Sequence, residues 1–209
     1  MKKIVVWIVV ILLLCITTVL GKEIVYEDEL KENYYELIVL VGELFKDHAQ
    51  EDDYYYNRSY SKQEDMAELL GENVTDAGFS LLVDALFDEL DELYVYKSRY
   101  QDYISDTRDF SKNQKATNYY DTVRNTILNP ALGLIPFDNL EITREKNRVK
   151  VEGQEIKVEF YDARDYLVEH HQYARFGYPP NDEISFSLIF IYNDGKYLLD
   201  HFDIRSHGM

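Results

Sequence analysis

Five histidines, two runs of carboxylates and nineteen tyrosines are the side chains in this 209-residue sequence whose chemistry could define a site. His201 and Asp203 stand two apart in a predicted strand, so they share a face. An imidazole oriented by a carboxylate in that way can serve as a general base. The competing reading is a polar outer face, with Leu198, Phe202 and Ile204 turned inward. His170 and His171 are adjacent and would point to opposite sides of an extended segment, which prevents them from sharing one metal or substrate. His48 ends a predicted helix, where a cation suits the dipole, and His207 sits in the C-terminal tail. The runs Asp47/Glu51/Asp52/Asp53 and Asp84/Asp88/Glu89/Asp91/Glu92 lack the alternating ligands and central glycine of a calcium loop. The second run reads as one solvated helix face through Asp84, Asp88, Asp91 and Glu92. Serine catalysis has no Gly-x-Ser-x-Gly elbow to rest on, and neither a glycine-rich phosphate loop nor a His-Glu-x-x-His zinc signature occurs. No catalytic residue, metal ligand or cofactor is therefore assigned.

Tyrosine is the residue type that points to recognition. Tyr54, Tyr55, Tyr56, Tyr60, Tyr100 and Tyr103 are the candidate binding residues, in a region that also holds Tyr94 and Tyr96. A phenol offers rigid apolar area with a hydrogen-bonding tip, which suits protein or sugar partners. The formal charge of −17 works in the same direction. Clustered lysine and arginine are what nucleic acid and anionic surfaces require, so nucleic-acid binding is excluded; the acidity serves solubility or, alternatively, attraction to a basic partner or to divalent ions.

The elements that would position these groups begin with an address. Met1-Lys2-Lys3 is cationic, Ile4 to Leu20 carries no charge, and Gly21 and Lys22 close the run. This pattern predicts membrane targeting, with everything that follows on the extracytoplasmic side. Cleavage after Gly21 would release a secreted protein, whereas retention of residues 4–20 would leave it anchored. The single cysteine, Cys15, lies inside this segment. Residues 22–209 consequently have no disulfide, thiol nucleophile or cysteine-bound zinc, and their length suits one domain.

Within residues 22–209, apolar positions Leu30, Tyr34, Leu37, Val41, Leu44 and Phe45 form a helical stripe between Tyr26 and about His48. An acidic, tyrosine-rich loop, Gln50 to Tyr60, follows. Ser61 to Glu64 reads as a capping box opening a short helix, Lys62 to Leu70, which Gly71 stops. Thr75 caps a longer helix carrying Phe79, Leu82, Val83, Leu86, Phe87, Leu90 and Leu93. Residues 95–126 show no clear period, and Asn129 to Pro136 breaks the chain. Beyond Pro136 the period changes to two. Leu140–Arg144, Arg148–Val151 and Ile156–Tyr161 read as strands, with Glu152-Gly153 as a turn. Asp162 to Asp182 reads as a loop. Ile184–Tyr192 and Lys196–Ile204 form a hairpin through Asn193-Asp194-Gly195. Helices first and antiparallel strands after give an α+β class, with N-terminal helices packed on one curved, cone-like sheet.

The order of these elements, with the run Tyr60-Ser61-Lys62-Gln63-Glu64-Asp65-Met66 through Val74-Thr75-Asp76 and then Leu134-Ile135-Pro136-Phe137, resembles the nuclear transport factor 2-like (cystatin-like cone) superfamily. More narrowly it is similar to small exported proteins of Gram-positive bacteria and to secreted DL-endopeptidase inhibitors. That inhibitor family's late tryptophan-bearing strand is missing here, since Trp7 is the only tryptophan. The resemblance implies an interior pocket between helices and sheet. The expected function is a non-catalytic extracytoplasmic binding module of the bacterial envelope, modulating a basic envelope protein such as a cell-wall enzyme. The alternative is a small-ligand carrier, or an enzyme, using the interior of the cone.

Overall fold

The apolar stripe read at helical spacing is the axis of the fold. A computed structural model describes residues 27–108, 119–164 and 172–208. The apolar segment of residues 4–20 and the pair His170 and His171 lie outside them. Helix α1 covers residues 27–43, and Leu30, Tyr34, Leu37, Val41 and Leu44 are essentially inaccessible to solvent along its inner side. Two phenols on this helix, Tyr34 buried and Tyr35 half-buried, bond to distant backbone: Tyr34 Oη donates to the Leu132 carbonyl at 2.7 Å and Tyr35 Oη to that of Ile135 at 3.0 Å. The end of α1 is closed by Asn57, whose Nδ2 donates to the carbonyls of Glu43 and Leu44 at 2.8 and 3.1 Å. A helix terminus buried in this way needs such donors.

The expected loop after α1 is instead a hairpin of β1 (His48–Glu51) and β2 (Tyr54–Asn57). Tyrosine-rich sequence favours strands, and the left-handed conformation of Asp52, φ 50°, turns the chain between them. Helix α2 (Gln63–Leu70) buries Met66 and Leu70 as its spacing predicts. Its N-cap is Lys62, with no side-chain bond, so the predicted capping box does not form, and Gly71 ends the helix in right-handed conformation. Helix α3 (Asp76–Leu86) does begin on Thr75, which accepts a hydrogen bond from Gly78 N–H at 3.0 Å.

The helix expected to run past Leu90 stops at Leu86. Phe87–Leu90 is strand β3 and Leu93–Tyr96 is strand β4, joined by Asp91 and Glu92, both at positive φ. Asp84, Asp88, Asp91 and Glu92 are thus spread over helix, strand and turn rather than along one helix face. Four short strands form an antiparallel sheet in the order β1-β2-β4-β3. The single sheet expected from the sequence is therefore two. Helix α4 (Ser98–Arg108) and the short α5 (Tyr119–Val123) occupy the stretch without a clear period, and α6 (Ala131–Leu134) lies inside the predicted break.

The second sheet is the antiparallel meander of β5 (Glu141–Glu145), β6 (Arg148–Glu159), β7 (Asn181–Asn193) and β8 (Lys196–Ser206). Strand β6 is continuous where a turn at Glu152-Gly153 was expected. The sequence there makes a bulge, with Glu155 at φ 49° and a register shift against β7 between Gly153 and Ile156. Glycine at 153 lets the rings and methyls pack closely, since a Cβ would lie 2.6 Å from both Ile156 Cδ1 and Phe186 Cε1 and push those side chains aside. The β7–β8 hairpin turns through Asp194 and Gly195, both left-handed, as predicted. Helix α7 (Gln172–Arg175) interrupts the segment read as a loop.

One hydrophobic cluster joins the α1 stripe, α3 and the inward residues Ile184, Phe186, Leu188 and Phe190 of β7. The architecture is α+β with two open antiparallel sheets. Among the described residues, no helix is long and apolar enough to cross a membrane.

Candidate functional site

An aromatic cavity of about 340 Å³ opens where α1, β1, α4, α5 and α7 meet. Phe45, just beyond α1, forms its inner wall, with ring centroids 6.3 Å from Tyr103 on α4 and 6.1 Å from Tyr119 on α5. Tyr119 lies 5.2 Å from Tyr103, 6.5 Å from Phe176 and 6.1 Å from Tyr178. Tyr173 on α7 closes the ring of side chains at 5.0 Å from Tyr178. Gly177, at φ 75°, makes the turn after α7 that lets Phe176 and Tyr178 both reach the cavity. The remaining described lining residues are His48 and Gln172. Phe176 is 56% exposed and Phe45 only 7%, which sets the mouth and the back of the cavity.

Burial keeps three phenols of this wall neutral. Burial raises the phenol pKa of Tyr119, reinforced by Tyr103 and Tyr100 nearby, and burial likewise raises those of Tyr178 and Tyr103. These phenols remain protonated, so they present π-faces and O–H donors rather than phenolate bases. No carboxylate, lysine, arginine or hydroxyl nucleophile is among the described lining residues. Such a wall can hold an apolar or aromatic group and orient it by a few polar contacts.

The six candidate tyrosines fall into separate places. Tyr103 lines the cavity, and Tyr100 lies fully buried behind it, 5.1 Å from Phe45. Tyr55 is buried on the core side of the small sheet, its backbone N–H and C=O both bound by the Gln101 amide at 2.7 and 2.9 Å. Tyr54 and Tyr56 alternate with it on the other side, and Tyr60 packs half-buried against the core. The fold does not bring the six into one patch. Phe45, His48, Tyr119, Tyr173, Phe176 and Tyr178 were not singled out for binding. They come from three separate stretches of sequence, 45–48, 119 and 173–178, and the local density of aromatics at 173–178 was the one signal for them.

The histidines resolve differently from their sequence reading. His48 lies in β1 rather than at a helix end, with its ring 4.8 Å from Phe45 and 5.4 Å from Tyr96. His201 and Asp203 do share an exposed face of β8, but Asp203 pairs with Arg205 at 3.0 Å. A register shift in the β7–β8 ladder, between Ile189 and Phe190, skips Asp200 and reverses the alternation along β8. Tyr197 and Leu199 therefore point inward in place of Leu198, followed by Ile204. His207 is tied down, its Nε2 2.8 Å from Ser185 Oγ, and the same Oγ accepts a hydrogen bond from Glu155 N–H at 2.9 Å. That contact fastens the C-terminal end to β7. Among the described residues, no group of three or more potential ligands could hold a metal.

A second polar cluster surrounds Asp182, a carboxylate 1% exposed at the start of β7. It accepts hydrogen bonds from Tyr120 Oη, from Ser206 Oγ, from Glu183 N–H at 2.8 Å and from Gly208 N–H at 3.1 Å. This is a closed knot that joins α5, β7 and the end of β8. All its acceptors face donors of the chain itself, which makes it an organiser of the fold.

Comparison of the chain with protein-family models, curated proteins and solved structures finds no match.

Proposed function

We propose that this chain is a non-catalytic binding module of the bacterial envelope that takes an apolar or aromatic group of its ligand into the cavity behind Phe176. The carrying observation is the cavity wall: six aromatic rings, the phenols of Tyr103, Tyr119 and Tyr178 kept neutral by burial, and no described carboxylate or nucleophile beside them. The extracytoplasmic location rests on the cationic start and apolar run of residues 1–20, and the modulated partner on the acidic charge. The helices against the β5–β8 sheet support the cone-like arrangement that the resemblance to the nuclear transport factor 2-like superfamily implies, while the described walls of the cavity come from outside that sheet. A small-ligand carrier is the second reading, favoured by the enclosed back of the cavity at Phe45.

The only tryptophan is Trp7, so a full-length chain with Trp7→Phe and Phe176→Trp carries one reporter, at the cavity mouth. Titration with 4-nitrobenzyl alcohol, an aromatic quencher, is expected to give saturable quenching that Tyr103→Ala weakens about tenfold, a hot-spot effect. Linear quenching, equal to that of the urea-unfolded chain, rejects the cavity as a binding site. Location is read by fractionating producing cells with a tag after Met209; recovery in the cytoplasm rejects the envelope assignment.

A further inference from the structure

The small sheet has two faces, and only one is packed on the core. Directly opposed residues of an antiparallel ladder share a face. The pairs Glu51↔Tyr54, Tyr56↔Val95, Asp88↔Val95 and Leu90↔Leu93 therefore define the outer side. Tyr55, Phe87 and Tyr96 on the inner side belong to the hydrophobic core, whereas Val95 is buried without joining it. On the same face of the sheet stand Tyr54 and Tyr56 from β2, Leu93 from β4 and Leu90 at the edge. Tyr54 is 44% and Leu90 38% exposed, two of the five large apolar side chains so exposed among the described residues. A hollow of about 240 Å³ lies between them, walled by Glu51, Asp52, Asp91 and Leu93.

Charge frames this apolar strip. Strands β2 and β4 run antiparallel, so the turns Asp52-Asp53 and Asp91-Glu92 lie at opposite ends of it. None of those four carboxylates, nor Glu51, has a cationic partner among the described residues. Arg58 pairs instead with Asp47 at 3.5 Å and Lys97 with Asp88 at 2.9 Å. An apolar centre with an unneutralised acidic rim is the anatomy of a docking surface for a cationic partner.

We infer that this outer face is a second binding surface, for an extended basic segment of a protein partner that sets an aromatic side chain between two lysines or arginines. Strands of this length span about 13 Å, the distance over which an extended chain places its first, third and fifth side chains on one side. The aromatic group enters the hollow between Tyr54 and Leu90, and the cations meet the carboxylates at either end. The inference rests on the binding-module reading but uses a surface separate from the cavity.

The probe is the peptide acetyl-Lys-Ser-Phe-Ser-Lys-amide, titrated into the isotope-labelled full-length protein and followed by amide chemical shifts. Controls replace Phe by Ser, or both Lys by Glu. Saturating shifts confined to β1–β4 are expected, with affinity at least about tenfold above either control at low salt and falling steeply as salt screens the rim. The exposed pair of changes Tyr54→Ser and Leu90→Ser should abolish the shifts while the circular dichroism spectrum is retained. Equal binding of the Phe-to-Ser peptide, shifts centred elsewhere, indifference to the double substitution, or no binding each overturns the inference. Failure here alongside saturable quenching of the Phe176→Trp reporter leaves the cavity reading standing; the reverse result removes the cavity reading alone.

Discussion

At the scale of single residues, Asp182 and Tyr120 show how this chain handles buried polarity. A carboxylate out of water is tolerated only when its oxygens are saturated with donors, and Asp182 has four. Its removal strands Tyr120 Oη, Ser206 Oγ and two backbone N–H groups together. Asp182→Ala is therefore expected to cost about 3 kcal/mol, whereas Tyr120→Phe, which leaves three donors in place, should cost about 1 kcal/mol. Urea denaturation of both single variants and the double variant measures this. If the two changes prove additive, the bond between them contributes nothing. The cavity makes the opposite use of tyrosine, since Tyr103, Tyr119 and Tyr178 offer ring area and a neutral hydroxyl without a charged partner among the described lining residues.

At the scale of elements, the junction of α3 with β8 decides how the helical half meets the meander. Thr75 N–H donates to the Leu199 carbonyl at 2.9 Å, Leu199 N–H to that of Asn73 at 2.8 Å, and Thr75 Oγ1 to Asp200 at 2.8 Å. Helix α3 thus starts directly on the β8 backbone, beside the irregularity at Asp200. Only glycine fits at its third position: a Cβ on Gly78 would stand 2.0 Å from the Leu199 carbonyl oxygen. That neighbour is backbone and cannot rotate away. Gly78→Ala should lower stability by at least about 2 kcal/mol despite alanine's better helix propensity, because overpacking outweighs propensity here. A thermal midpoint equal to or above that of the parent would show that the helix can shift off β8 without loss.

At the scale of the whole molecule, burial of phenols couples stability to alkaline pH. Desolvation is the largest cause raising the pKa values of Tyr34, Tyr96, Tyr119, Tyr120 and Tyr178. Below the ordinary tyrosine value of about 10, folded and unfolded chains hold the same phenolic protons and this contribution to stability is complete. Above it the unfolded chain ionises while the folded chain resists, so the unfolded state binds fewer protons and stability falls as pH rises. Phenolate absorbance from this buried set should appear together with loss of the circular dichroism signal, above about pH 10. Ionisation well before unfolding would mean that these rings are open to water in solution.

The parts of this molecule legible in its sequence are those set by local pattern. The buried stripe of α1 follows from steps of three and four, the cap of α3 from a threonine before an apolar run, and the β7–β8 turn from Asp194-Gly195, which tolerate positive φ. Tertiary contacts decided the rest. Leu90 and Leu93 keep helical spacing, yet Phe87–Tyr96 is a hairpin, because pairing of β4 with β2 outweighs a period that a short apolar segment satisfies either way. Glu152-Gly153 looks like a turn and is a bulge, since the backbone there is set by the close approach of Phe186. Beyond the cluster of aromatics at 173–178, the cavity has no sequence signature. Its rings arrive from Phe45, Tyr103, Tyr119 and the 173–178 segment, and only the packing of five elements makes neighbours of residues more than a hundred positions apart.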